Sequence, residues 1–130
     1  MIKGGTRFAV TMGQVFPEGC HLVPDSIAEA MDYDEETKRR FPAVDKLTSK
    51  PVFQVRVVDL DPDLAGRSRE VVVKVIADRM PVPPTRAPFE AVEFENLTVT
   101  PYVVDATKRL AYSLRATGIK AARPAAKDVA

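Results

Sequence analysis

The sequence predicts an all-β fold with at most one short helix, arranged as a small Greek-key barrel of the OB-fold kind with about five antiparallel strands. Three observations carry this. Apolar and polar residues alternate with a period of two in several separate runs, and the runs are rich in valine. Clusters of proline, glycine and aspartate divide the runs where turns are needed. An open valine-rich sheet would leave long edges for aggregation, which favours closure. A β-sandwich and an SH3-like barrel are the alternative arrangements.

Taken in order, the first strand is expected near residues 6–12, where Phe8, Val10 and Met12 share a face. The stretch Ser26 to Met31 reads either as the start of a helix or as a strand with Ile27 and Glu29 on opposite faces. Asp34 to Arg40 reads as a polar excursion, at most one helical turn. Strands follow near residues 51–59, with Phe53, Val55 and Val57 inward, and 69–77, with Val71, Val73 and Val75 inward. Asp59 to Gly66 is the hairpin loop between them. Arg79 to Pro88 carries Pro81, Pro83, Pro84 and Pro88 and reads as an extended linker. The last strands are expected near residues 91–103 and 109–119, joined by a short loop from Asp105 to Lys108. The expected core is Val55, Val57, Val71, Val73, Val75, Leu97, Val99, Leu110 and Leu114. Residues 1–120 form one barrel domain in this reading, and residues 121–130 a flexible basic tail.

Composition narrows the function. A chain of 130 residues is one domain long and can bury a core without staples. It carries no apolar run long enough to span a bilayer. Met1 to Arg7 has no apolar segment behind it, so a secretory signal is not expected. One cysteine, Cys20, fits a reducing compartment, and a cytoplasmic location is the expectation. The formal net charge is only +1, which argues against binding an anionic polymer with the whole surface. Its distribution is uneven. Glu18, Asp25, Glu29, Asp32, Asp34, Glu35 and Glu36 stand early with no lysine or arginine among them, while Lys108, Arg109, Arg115, Lys120, Arg123 and Lys127 stand late.

Signals for catalysis are weak, and no enzyme activity or cofactor is expected. A single histidine excludes a histidine-rich metal cluster, and Cys20 and His21 are neighbours that a strand would point to opposite faces. No phosphate-binding glycine loop, dinucleotide turn or nucleophile elbow occurs. Asp59, Asp61, Asp63 and Glu70 have the spacing of an EF-hand loop, but Leu64 stands where the turn requires glycine. An acidic hairpin loop is the better reading, and no metal is expected.

The outward faces of the strands are more informative. Opposite the valines lie Gln54, Arg56, Lys74, Thr98, Thr100, Tyr102, Arg109, Ser113 and Arg115. Any solvated sheet face is polar, so this alone does not define a site. The combination of cations, hydroxyls and an aromatic ring nevertheless suits a DNA strand. Gln54, Arg56, Lys74, Tyr102, Arg109 and Arg115 are the candidate DNA-binding residues. The cations would neutralise phosphates, and Tyr102, with Phe53 as a second candidate, would stack on bases. Arg109 and Arg115 would stand about 20 Å apart on one side of a strand, at roughly 3.3 Å per residue.

Four segments also resemble a family of actinobacterial mobile-element proteins. They are Val15-Phe16-Pro17-Glu18-Gly19-Cys20, Asp45 to Val55, Phe94 to Val103, and Arg109-Leu110-Ala111-Tyr112-Ser113-Leu114-Arg115-Ala116-Thr117-Gly118. The family comprises the plasmid replication, integration and excision activators, the replication activator protein Pra family. The resemblance runs from about Phe8 to Lys120, and its last block is the most specific. One departure is Phe53, where the family often has Trp. The resemblance implies a regulator that switches on replication, excision and integration of a plasmid or integrative element, and it assigns no catalytic residues. DNA is then the expected partner, single strands above duplex, because no helix-turn-helix period is visible. A replication initiator protein and a second copy of the chain are further candidate partners. The rival expectation is a protein–protein adaptor, or a transcriptional regulator, that recruits the replication machinery through the acidic segment from Asp25 to Glu36.

Overall fold

The computed structural model describes residues 2, 5–64 and 69–122. In chain order the elements are β1 (Phe8–Ala9), α1 (Met12–Val15), β2 (Cys20–Leu22), β3 (Ala28–Glu29), β4 (Met31–Asp34), β5 (Arg39–Pro42), β6 (Val52–Asp59), β7 (Glu70–Ile76), β8 (Ala91–Glu95), β9 (Thr98–Val104), β10 (Arg109–Ala116) and β11 (Gly118–Ala121). The fold is all-β, with one short helix among the described residues.

Strand pairing defines the barrel. β2 pairs antiparallel with β6, β6 antiparallel with β7, and β7 parallel with β10. β9 pairs with β10 and β8 with β11 in one continuous register, since Thr98 faces Arg115 and Glu95 faces Gly118. The segments β8–β9 and β10–β11 are therefore a single long hairpin with a bend in it. At the bend Asn96 adopts a positive φ of 52°, and its side-chain amide donates to Thr117 Oγ1 at 2.8 Å. One half of the ribbon joins β7 through β10, and the other half joins β2 through β8. The curled sheet thus closes on itself through five barrel strands, β2, β6, β7, β8–β9 and β10–β11. One parallel pair in an otherwise antiparallel ring of this order is the connectivity of an OB-fold barrel.

Valines fill the interior because alternation and register agree. Phe53, Val55 and Val57 on β6 stand opposite Val75, Val73 and Val71 on β7, and Leu114 and Ala116 on β10 stand beside Val73 and Val75. Val55, Val57, Val73 and Val75 are fully buried. One end of the barrel is plugged by Phe16, whose ring lies 6.3 Å from that of Phe94, with Met12 and Val15 packed alongside. The proline-rich connection between β7 and β8 is extended, and the buried Glu90 organises it by accepting from Thr85 N, Thr85 Oγ1 and Arg86 N.

Several expectations need correction. The strand expected at residues 6–12 is reduced to Phe8–Ala9, because Thr11 caps α1 and exchanges reciprocal hydrogen bonds with Gln14. The barrel's first strand is Cys20–Leu22 instead. Of the two readings of Ser26 to Met31 the strand holds, since the stretch contains β3 and the first residue of β4. Asp34 to Arg40 is not a helical turn but the tip of a separate β4–β5 hairpin. Leu110, expected in the core, is 60% exposed, because β7 pairs with β10 only from Leu114 to Ala116 and the ribbon runs on beyond the barrel. Phe53 is buried and has no face for a base. Val71 and Val99 pack at the margin of the core. β11 extends to Ala121, and the remainder of the expected tail, residues 123–130, lies outside the described residues, as do residues 65–68 of the β6–β7 loop.

Candidate nucleic-acid interface

The connection between β2 and β6 is a long insertion that contains β3, the β4–β5 hairpin and the loop from Ala43 to Lys50. It crosses the outer face of the barrel at one end, where Ala30 and Ala43 cover Val52 and Ile76. Beyond that contact the insertion and the sheet diverge around a cleft of about 920 Å³. Asp32 and the segment from Ala43 to Leu47 form one wall. Val72 and Lys74 of β7, Thr100 and Tyr102 of β9, and Tyr112, Ser113 and Arg115 of β10 line the other side. The β9–β10 ribbon projects past the barrel as an arm, and the β4–β5 hairpin is a second arm.

The two arms end in similar turns. Lys38 N donates to Asp34 O and Lys108 N to Val104 O, each at 2.7 Å, and both lysines adopt a φ of 57°. Each turn leads through Thr-Lys-Arg, as Thr37-Lys38-Arg39 and Thr107-Lys108-Arg109, so each tip carries adjacent cations, with Arg40 a third on the first arm. Aromatic side chains stand exposed on both arms: Tyr33 and Phe41 on one, Tyr102 and Tyr112 on the other. Isolated two-stranded ribbons have no interior in which to bury them.

Of the six candidate residues, Lys74, Tyr102 and Arg115 line the cleft together. The register puts Tyr102 opposite Ala111, and hence on the same side of the ribbon as Arg109, Ser113 and Arg115. Arg109 is exposed at the arm tip. Gln54 and Arg56 are exposed on β6, outside the cleft, and Arg56 Nη1 lies 3.3 Å from Glu70 Oε1. Arg115 is not a free cation: its side chain is 22% exposed, and its Nη1 lies 3.8 Å from Asp45 Oδ1.

Asp45 is the buried polar centre of this wall. Its side chain is fully enclosed; it accepts from Arg7 through Oδ1 and from Thr48 N and Thr48 Oγ1 through Oδ2, at 3.1 and 3.0 Å. Burial alone would raise its pKa, but the hydrogen bonds from Arg7 and Thr48 and the charge of Arg7 outweigh it and hold the carboxyl below its ordinary value. Arg115 is shifted below its ordinary value by burial first and then by the nearby Arg7. Reading the sequence missed Arg7, Asp45, Tyr112 and the whole first arm. The recurrence of Thr-Lys-Arg was the available signal for that arm.

Elsewhere, the Cys20 thiol is pushed up to about 12, by burial and then by Asp59 and Glu93, and its Sγ lies 3.6 Å from Val92 O. Asp59 and Asp61 each accept a backbone N–H two residues on, the geometry of turn closure. Among the described residues no group of three or more His, Cys, Asp or Glu side chains is placed to hold a metal ion, and no helix is long and apolar enough to cross a membrane.

The fold and the cleft define an OB-type barrel with a roofed outer face. No protein-family model matches the chain, and no curated protein or solved structure does.

Proposed function

We propose that this protein is a non-enzymatic DNA-binding accessory protein that holds a single strand in the cleft and so activates replication or excision of a plasmid or integrative element. The position of the cleft carries the reading. OB barrels bind oligonucleotides on the face of their second and third strands, between the loop joining the first two strands and the loop joining the last two. Here those strands are β6 and β7, of which β7 lines the cleft beside β9 and β10, and those loops have grown into the two arms. The cleft offers Tyr102 for stacking, on the same side of the ribbon as Arg115, and Lys74 for a phosphate, in the combination that single-strand binders use. The resemblance to the replication activator family supports the biological role.

A protein–protein adaptor is the second reading, favoured by one observation. Pro101, Val103, Leu110 and Tyr112 lie on one side of the β9–β10 arm, and all are exposed. An apolar row of this kind suits a protein partner. Fluorescence anisotropy with a labelled thymidine oligonucleotide of about 12 nucleotides, within the usual site size of such folds, separates the readings. The proposal expects saturable binding at low salt, stronger for the single strand than for duplex. No binding at low salt would refute it and leave the adaptor.

A further inference from the structure

We propose that Arg7, Lys74 and Arg115 form a phosphate-binding subsite in the wall of the cleft, with Asp45 as the positioning residue that holds the two guanidiniums in place. The proposal rests on the single-strand reading for the source of the phosphate, not for the subsite itself.

The charges around Asp45 do not match. Asp45 Oδ1 is taken by Arg7 in a direct hydrogen bond, and Oδ2 by the two donors of Thr48. Arg115 approaches the same Oδ1 only to 3.8 Å, beyond hydrogen-bonding distance, so its fork of donors is not used up there. Lys74 is the ladder partner of Arg115 on the neighbouring strand, about 4.8 Å away along the backbone. Among the described residues it has no salt-bridge partner. Asp32, on the insertion arm, also faces Arg115, and over all the charged residues that line the cleft Arg7, Lys46, Lys74 and Arg115 outnumber Asp32, Asp45 and Glu70 by one.

A bridge that served only to pin the insertion would need one arginine. A second guanidinium beside the first adds repulsion, and burial adds a desolvation cost. Arg115 feels both, since burial and the proximity of Arg7 act on it in the same direction. An anion placed against Arg7, Arg115 and Lys74 would relieve that crowding and use the free donors. Thr100 and Ser113, opposite each other on the ribbon, add hydroxyls to the same wall. Arg7 and Arg115 also border a second opening, of about 340 Å³, together with Thr98 and with Lys50, whose Nζ lies 3.9 Å from Asp78 Oδ2. A linear polyanion would therefore find cationic groups on both sides of the Asp45 strap. A tetrahedral phosphate, free or as a phosphodiester, matches this donor set.

The test uses the full chain and two probes. The first is inorganic pyrophosphate, with sodium chloride at matched ionic strength as the control, read by thermal unfolding. The wild type should melt higher in pyrophosphate than in chloride, and Arg7→Gln/Lys74→Gln should lose the difference. If the double variant does not fold, Lys74→Gln alone carries the comparison, because among the described residues the Lys74 side chain makes no salt bridge to the Asp45 cluster. An unresponsive wild type, or a variant that responds equally, overturns the subsite. The second probe is the thymidine oligonucleotide. Each substitution should weaken binding about tenfold, as expected for one charge-assisted contact, and lower the salt slope by about 0.7. A single neutral methylphosphonate linkage, moved along the strand, should weaken wild-type binding at one position and be silent there in the variant. Pyrophosphate binding without oligonucleotide binding would keep the subsite and refute the single-strand reading. Oligonucleotide binding that the substitutions leave unchanged would do the reverse.

Discussion

Asp45→Asn should cost about 3 kcal/mol of folding stability. The carboxylate is fully enclosed and ties together three separate parts of the chain: Arg7 before β1, Thr48 in the insertion and Arg115 on β10. Removing one partner of a buried ion pair costs about 3–5 kcal/mol, mostly because the remaining charge is left without compensation. The low end applies, because Arg7 and Arg115 are 20% and 22% exposed and can recover some hydration. Asparagine keeps one carbonyl oxygen for Thr48 but turns N–H donors towards two guanidiniums. Urea denaturation at pH 7 should show a lower midpoint with an unchanged slope. The pH dependence has a definite sign. The folded pKa lies below the ordinary value of 3.8, so the contribution of Asp45 is fully present above that value and is lost as the pH falls through the lower, folded value. The gap between wild type and variant should therefore narrow only below about pH 4. A variant within about 0.5 kcal/mol of wild type at pH 7, the range of ordinary surface changes, would refute the ion-pair argument.

Other outcomes follow from burial and exposure. Leu114→Ala should destabilise by about 2–5 kcal/mol, while Leu110→Ala, on the same strand, should stay within about 0.5 kcal/mol; equal effects in urea denaturation would contradict the placement of the arm. Thr11→Ala should cost about 0.5–2 kcal/mol by removing the α1 cap, measured in the same way. Cys20 should resist iodoacetamide at pH 8 until denaturant is added, because burial keeps its thiol protonated up to about 12; rapid labelling of the native protein would show the site to be open. Tyr102→Ala should weaken oligonucleotide binding by about 1–3 kcal/mol with its salt slope unchanged.

The barrel was legible where one face of a strand meets the core and the other meets water. β6, β7 and the inner part of β10 show that alternation, and Val55, Val57, Val73, Val75 and Leu114 are buried as it implies. It misleads where a ribbon leaves the barrel. Leu110 continues the same period as Leu114, yet nothing lies beneath it, because period reports which side a residue takes and not whether anything covers that side. Short strands were also hard to see. Cys20–Leu22 and Ala28–Glu29 are too brief to display a period, and they are held by partners distant in the chain. The polar outer face was read correctly as to side, since Tyr102, Ser113 and Arg115 do share it. What could not be read was the insertion laid across one end of that face, which makes a cleft lined by Lys74, Tyr102 and Arg115 but not by Gln54 or Arg56.

That insertion also accounts for the uneven charge along the sequence. Acids that stand early, Asp32 and Asp45, are folded back against bases that stand late, Lys74 and Arg115. The cleft is consequently far less positive than its count of lysines and arginines suggests, and few phosphates can be neutralised in it. With about two contacts, a single strand would show a salt slope near −1.4, so a rise from about 50 to 200 mM would weaken binding only roughly sevenfold. Most of the affinity must then come from stacking, at about 1–3 kcal/mol per base, which makes Tyr102 weigh more than any one cation. A duplex keeps its bases stacked on one another and offers no free ring face to that tyrosine. On this balance of charge and aromatic surface, strand selectivity follows from the cleft's weak electrostatics: a binder unable to rely on phosphates must choose the form of DNA whose bases are exposed.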